Sequence, residues 1–177
     1  TQSGTSSYLC LTTNSGITQE DYNNGWAVRS GSAAFIDGRY IEHHTPDTLS
    51  NCLVWMAICE GMKRQGQGTT GYALLRAGAG VVYGYSQSVT FVGDYMYEAT
   101  FWNAMKNADD PATVADAFNL MAETHGLPDP RGDAWPIVMS EDDPFPANPD
   151  SAQTVNSQWT LFGNPEPVDN TGFSLQQ

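Results

Sequence analysis

The chain has 177 residues, enough for one domain with a sizeable core. Its 20 acidic residues against 7 Lys and Arg give a net charge of −13, which argues against a phosphate-gripping nucleic-acid binder and fits an extracellular, acid-surfaced or salt-adapted protein. At 40 % apolar residues it is too hydrophobic for a disordered chain, and no apolar run is long enough to cross a membrane.

Residues 1–32 are rich in Ser, Thr, Asn and Gly. Tyr8-Leu-Cys-Leu11 is their one short strand candidate. Thr18-Gln-Glu-Asp21 can cap a helical turn, which Asn23-Asn-Gly25 breaks. Compact domains rarely open on so much loop, so the fold is expected to begin before Thr1. Ala33-Ala-Phe-Ile36 and Arg39-Tyr-Ile-Glu42 flank Asp37-Gly38, a dipeptide that predicts a hairpin with His43 and His44 at its exit. A short helical turn is predicted at Thr45-Pro46-Asp47.

The next stretch organises the rest. Leu53 to Cys59 is uncharged and apolar, and polarity returns at Glu60-Gly-Met-Lys-Arg64. Such a run predicts a strand buried on both faces, as in helix-covered parallel sheets. Cys59 then sits at the carboxyl end of a central strand, where open α/β sheets place their crevices. After a glycine-rich loop, a short helix is predicted over 70–77, closed by Gly78, and a second buried strand over 81–86. Helices follow over 94–107 and 113–124, the second ending near Gly126-Leu-Pro128. Strand, helix, strand, helix, helix is an α/β layer order. From Pro128 onward Pro and Asp are dense, which predicts surface loop with a strand at 135–139 and a last strand or turn at 153–162.

The three cysteines are an odd number, so at least one is unpaired within the chain. Cys52 and Cys59 on one strand would lie about 23 Å apart, beyond disulfide reach. Cys10 can pair with Cys52, which leaves Cys59 as the free thiol.

Four stretches together resemble the caspase-like, gingipain-like cysteine peptidases. They are the strand ending Ala57-Ile-Cys-Glu-Gly61, the helix–turn–strand of Leu74-Leu-Arg-Ala-Gly-Ala-Gly-Val-Val-Tyr-Gly84, the helix pair over 97–118, and Leu161-Phe-Gly-Asn-Pro165. The resemblance spans about 33–166. It implies one α/β domain over 1–177, a caspase-like three-layer sandwich with a mostly parallel sheet, incomplete at its N-terminus. Within it, 1–32 is a loop-rich segment, 33–127 the core and 128–177 a loop-rich end. It also implies Cys59 as the nucleophile attacking a peptide carbonyl, a histidine base, and backbone N–H groups holding the oxyanion. Glu60 and Gly61 belong to the oxyanion turn, and Tyr85 and Ser86 to the pocket wall. Glu60 and Asp94 are the acids that can meet a basic substrate side chain.

The base is what this sequence lacks. His43 and His44 follow a hairpin rather than a parallel strand, and His125 follows the last helix. Either the histidine lies on a second chain or on an N-terminal part of the same precursor, or Gln2 stands in its place and the protein is an inactive relative. The partners are a protein or peptide substrate and that second part, with no nucleic acid and no membrane. A non-catalytic secreted structural or binding module of the same fold is the competing class. A third reading takes Gly84-Tyr-Ser-Gln-Ser88 as a serine-hydrolase elbow with Ser86 as nucleophile. Against it, Val89 to Val92 resist starting a helix and no Asp-then-His follows. No metal site and no cofactor are expected. Ca²⁺ at Glu141-Asp-Asp143 with Asp150 is the weaker alternative to a solvated acidic loop, since the spacing matches no known loop and Pro interrupts it.

Overall fold

The computed structural model describes residues 8–11, 16–46, 48–50, 52–63, 70–107, 109–130 and 132–162. These residues form a mixed α/β fold with two three-stranded sheets and five helices.

The first sheet is antiparallel. Strands β1 (Leu9–Leu11), β2 (Ala27–Ser30) and β3 (Ala33–Ile36) lie in the order β1-β3-β2. Helix α1 (Gln19–Asn23) sits between β1 and β2. Its capping box is reciprocal: Thr18 Oγ1 accepts from Asp21 N–H, and Asp21 Oδ2 accepts from Thr18 N–H at 2.8 Å. The hairpin of this region is not at Asp37-Gly38. It is the two-residue turn Gly31-Ser32, with Gly31 at φ +60 and Ser30 opposite Ala33. Asp37 instead caps helix α2 (Gly38–His44), accepting from the N–H groups of Arg39 and Tyr40. Arg39 to Glu42 are therefore helical, and His43 and His44 lie in the last turn of α2. An Asx cap and a type I′ turn use the same residue types, and here the cap wins.

The second sheet has the order β4-β5-β6. It comprises β4 (Leu53–Trp55), β5 (Val81–Tyr85) and β6 (Pro136–Ser140). Helix α3 (Thr70–Arg76) is the crossover that a parallel β4–β5 pair requires. Helices α4 (Phe91–Met105) and α5 (Val114–His125) return the chain so that β6 runs antiparallel to β5. Among the described residues β4–β5 is the one parallel pairing of four, so the mostly parallel sheet expected from sequence is not what they form.

Helices cover both faces of this sheet. Val81, Tyr83 and Tyr85 alternate onto one face and pack with Tyr97, Phe101, Phe118 and Met121 of α4 and α5. Val82, Ile137 and Met139 face the other way, toward Met56, Met62 and α3. A third cluster, with Ala27, Ile36, Ile41, Ala73 and Ala77, joins the small sheet and α2 to α3.

Three further expectations change. The apolar run 53–59 gives a three-residue strand, half-buried at a sheet edge, while fully buried β5 is the central strand. Helix α4 starts at Phe91 rather than Asp94, because Thr90 caps it by accepting from Gly93 N–H at 3.0 Å. The strand expected at 135–139 forms as β6, but the Pro- and Asp-rich stretch around it, through Asp150, is not all surface loop. Ala134, Asp143, Val155 and Ser157 are buried, and 152–160 run without regular strand pairing.

Candidate functional site

Beyond Trp55 the chain leaves β4 and makes a tight turn. Met56 N–H still reaches the Tyr83 carbonyl at 2.9 Å, and Met56 is buried. Ala57, Ile58 and Cys59 are then exposed. Two bonds from the exit of β5 hold the turn: Glu60 N–H donates to the Gln87 carbonyl at 3.0 Å and Met62 N–H to the Tyr85 carbonyl at 2.9 Å. Glu60 adopts φ +59, the one positive φ among the described non-glycine residues. A left-handed residue with a side chain costs on the order of 1–3 kcal/mol. The turn carries that cost one residue past Cys59.

The Cys59 thiol donates to the Val89 carbonyl at 3.5 Å, which sets it against the loop leading into α4. Gly61 N–H is directed at the Ile58 carbonyl at 3.4 Å. The N–H groups of Glu60 and Gly61 are therefore already engaged, and the N–H left to meet an oxyanion in this turn is that of Cys59 itself. Glu60 pairs with Lys63 at 3.1 Å on the surface.

Asp94, in the first turn of α4, ties the helix to the sheet. Its Oδ1 accepts from Tyr85 OH at 2.8 Å and from Trp55 Nε1 at 3.3 Å. Trp55 also stacks flat on Tyr83, with ring centroids 3.6 Å apart. Burial pushes the Tyr85 phenol far above its ordinary range, so it stays a donor. The second oxygen of Asp94 makes no hydrogen bond among the described residues. Sequence reading picked out Asp94 as an acid but not this bridge, since nothing in the spacing of 55, 85 and 94 pairs them.

The expected pocket wall is interior. Tyr85 is fully buried and Ser86 is 1 % exposed. Ser86 N–H donates to the Trp135 carbonyl, and its Oγ has no hydrogen-bond partner among the described residues. A helix does follow at Phe91, contrary to the propensity argument. Yet Ser86 lacks the left-handed backbone of a strained elbow, and its hydroxyl is sealed from solvent. Ser86→Ala removes an unpaired buried hydroxyl, so the unfolding free energy is expected to hold or to rise by up to about 1 kcal/mol. Calorimetry checks this, and a loss of more than 2 kcal/mol would reveal a partner for Oγ.

The histidines are occupied elsewhere. His44 Nε2 meets Asp21 Oδ1 at 2.8 Å and its ring lies on Tyr40. Burial alone would raise the Asp21 carboxyl, but hydrogen bonds from His44 and Thr18 outweigh it and hold it at about 2. His43 packs between Trp26 and His44. His125 shares a 2.7 Å hydrogen bond with Thr100. None of these contacts involves Cys59. Gln2, Asp47 and the Gly163-Asn-Pro165 part of the closing motif lie outside the described residues.

Cys10, Cys52 and Cys59 are all free thiols, so the Cys10–Cys52 bridge does not form. Among the described residues no group of three or more His, Cys, Asp or Glu is placed to hold a metal. Asp143 is buried and accepts from Ser140, Asn156 and Ser157. No helix of the described residues is long and apolar enough to cross a membrane. Comparison with known proteins finds no matching family model, no matching curated relative and no matching solved structure.

Proposed function

We propose that this chain is the cysteine-bearing part of a caspase-like, gingipain-like cysteine peptidase acting outside the cell or at its surface. The observation that carries the reading is the placement of Cys59. It is exposed, in a tight turn just past the carboxyl end of a strand that runs parallel to the buried central strand. The left-handed Glu60 beside it is the kind of local strain that functional turns retain.

In this reading the Cys59 thiolate adds to the carbonyl carbon of a peptide bond. The tetrahedral oxyanion is met by the Cys59 N–H. Collapse expels the amine and leaves an S-acyl enzyme, which water hydrolyses to the free acid. The proton taken from the thiol is relayed to the leaving amine by a base outside the described residues. Of the two candidate acids, Glu60 is paired with Lys63, so Asp94 is the one left to meet a basic side chain of the substrate.

A second reading has an observation in its favour. The contacts of His43, His44 and His125 all lie away from Cys59, as a non-catalytic module of this fold would have them. Cys10 separates the two, because it is a second exposed thiol in the same molecule. A peptidyl acyloxymethyl ketone with Arg at the cleavage position is expected to label Cys59 at least tenfold faster than Cys10, read by peptide mass spectrometry. Equal labelling of both thiols would sink the peptidase reading and leave the module.

A further inference from the structure

Exposed apolar surface is concentrated beside Cys59. Among the described residues nine large hydrophobic side chains are exposed. Four of them, Ile58, Phe91, Val92 and Tyr95, come from the two segments that meet where the Cys59 thiol reaches the Val89 carbonyl. Phe91 is the most open of the nine, at 87 %, and Tyr95 follows at 64 %.

The fold does not use these rings. Helix α4 already buries Tyr97, Phe101 and Met105 in the core. Its outer side is apolar as well. Phe91, Tyr95 and Trp102 fall on one stripe by helical spacing, bordered by Val92. A helix packed on one side ordinarily turns charge to solvent on the other, so a second apolar stripe marks a face that something covers. Residues 91–105 hold no Lys or Arg, and their charged groups are Asp94 and Glu98. Half-buried Trp102 closes the far end of the stripe, its ring 6.2 Å from Trp55, whose Nε1 donates to Asp94.

These features select the occupant. Only acids accompany the stripe, so a second copy of this chain, with the same acids and a net charge of −13, meets like charge there, and so does an anionic membrane. A peptide that joins a basic residue to a bulky apolar one matches the carboxylate and the rings together. The reach fits too. Phe91 lies two residues past Val89, a span of at most about 7 Å, which two extended residues of a substrate cover.

We propose that Phe91 and Tyr95 form an apolar subsite of the Cys59 site. It takes an aromatic or branched aliphatic side chain two or three positions from the reacting bond, in a peptide whose basic side chain meets Asp94. This deepens the peptidase reading and rests on it, since it names the substrate class.

Peptide binding to the intact chain tests it without turnover. The probes are the acetylated amides Phe-Ala-Arg-Ala-Phe and Gly-Ala-Arg-Ala-Gly. The Phe peptide is expected to bind about tenfold more tightly, with NMR shift changes at the Phe91, Tyr95 and Cys59 amides. Replacing both exposed rings, Phe91→Gln with Tyr95→Gln, is expected to abolish that advantage while the thermal midpoint holds. Equal affinity of the two peptides for the parent chain, no binding of either, or an advantage that survives in the double variant overturns the proposal. Self-association by light scattering that the double variant abolishes makes the occupant a second copy and overturns it as well. Selective labelling of Cys59 over Cys10 without a preference for Phe would sink the subsite and leave the peptidase reading. A Phe preference with equal labelling of both thiols would remove the peptidase reading while the peptide-binding face of α4 stands.

Discussion

Gly93→Ala is expected to lower the unfolding free energy by about 3 kcal/mol, although alanine is the better helix former. Helix propensity alone favours the substitution by about 1 kcal/mol. Packing opposes it. A Cβ at position 93 would lie 2.3 Å from Asp129 Oδ2, 2.4 Å from its Cγ and 2.6 Å from Oδ1. Asp129 is 1 % exposed and accepts from Thr90 N–H and Thr90 Oγ1, so it cannot swing into solvent without breaking the start of α4. Overpacking costs about 1–3 kcal/mol, and displacing a buried, bonded carboxylate adds about as much again. For a chain of this size a net 3 kcal/mol lowers the melting temperature by about 6–12 °C. Thermal unfolding followed by circular dichroism reads it, and a rise in the midpoint would show that propensity, not the Asp129 contact, governs the position. The same contact sets where α4 begins, and so where the Val89 carbonyl meets Cys59.

Much of the layer order was legible because it rests on local rules. The Thr18–Asp21 cap, the 70–76 helix, fully buried β5 and the periodic face of α5 all follow from spacing that tertiary contacts do not override. The failures share one cause: a local signal with two physical outcomes. Asp37-Gly38 can turn a hairpin or cap a helix, and the Arg39 side chain, bonded to Asp37 and to the Gly25 carbonyl, supports the cap. The apolar run 53–59 could be a long strand or a short one followed by an exposed turn. Hydropathy does not report the Gln87 and Tyr85 carbonyls that pull Glu60 and Met62 out of line. Of the site, Cys59 and Asp94 were visible as residue types. The Trp55–Asp94–Tyr85 bridge and the Val89 contact were not, because they join segments far apart in sequence. Composition averages over residues, so the Pro- and Asp-rich stretch after 128 reads as solvated loop. It does not show that Asp129 and Asp143 are turned inward onto N–H donors.

Asp143→Ala should be as damaging as Gly93→Ala, for the opposite reason. It takes away an acceptor rather than adding an atom. Asp143 Oδ1 accepts from Asn156 N–H at 2.7 Å and from Asn156 Nδ2. Oδ2 accepts from Ser157 N–H at 2.9 Å and Ser140 Oγ at 3.0 Å. Each buried donor left without a partner costs about 1–3 kcal/mol. Water entering the gap repairs part of this, so a net loss of about 3–4 kcal/mol is expected by denaturant unfolding. The consequence is not uniform over the fold. The segment that Asp143 anchors also supplies the Trp159 and Ser157 carbonyls to the first N–H groups of α5, and Gln153 to Val138. Faster exchange at Val138, Val114 and Ala115 should therefore precede global unfolding in the variant. With Gln153 released, the β6 edge would be bare, and the variant should aggregate at lower concentrations than the parent chain. A variant that loses stability while Val138 stays protected would mean that Gln153 holds the β6 edge without help from Asp143.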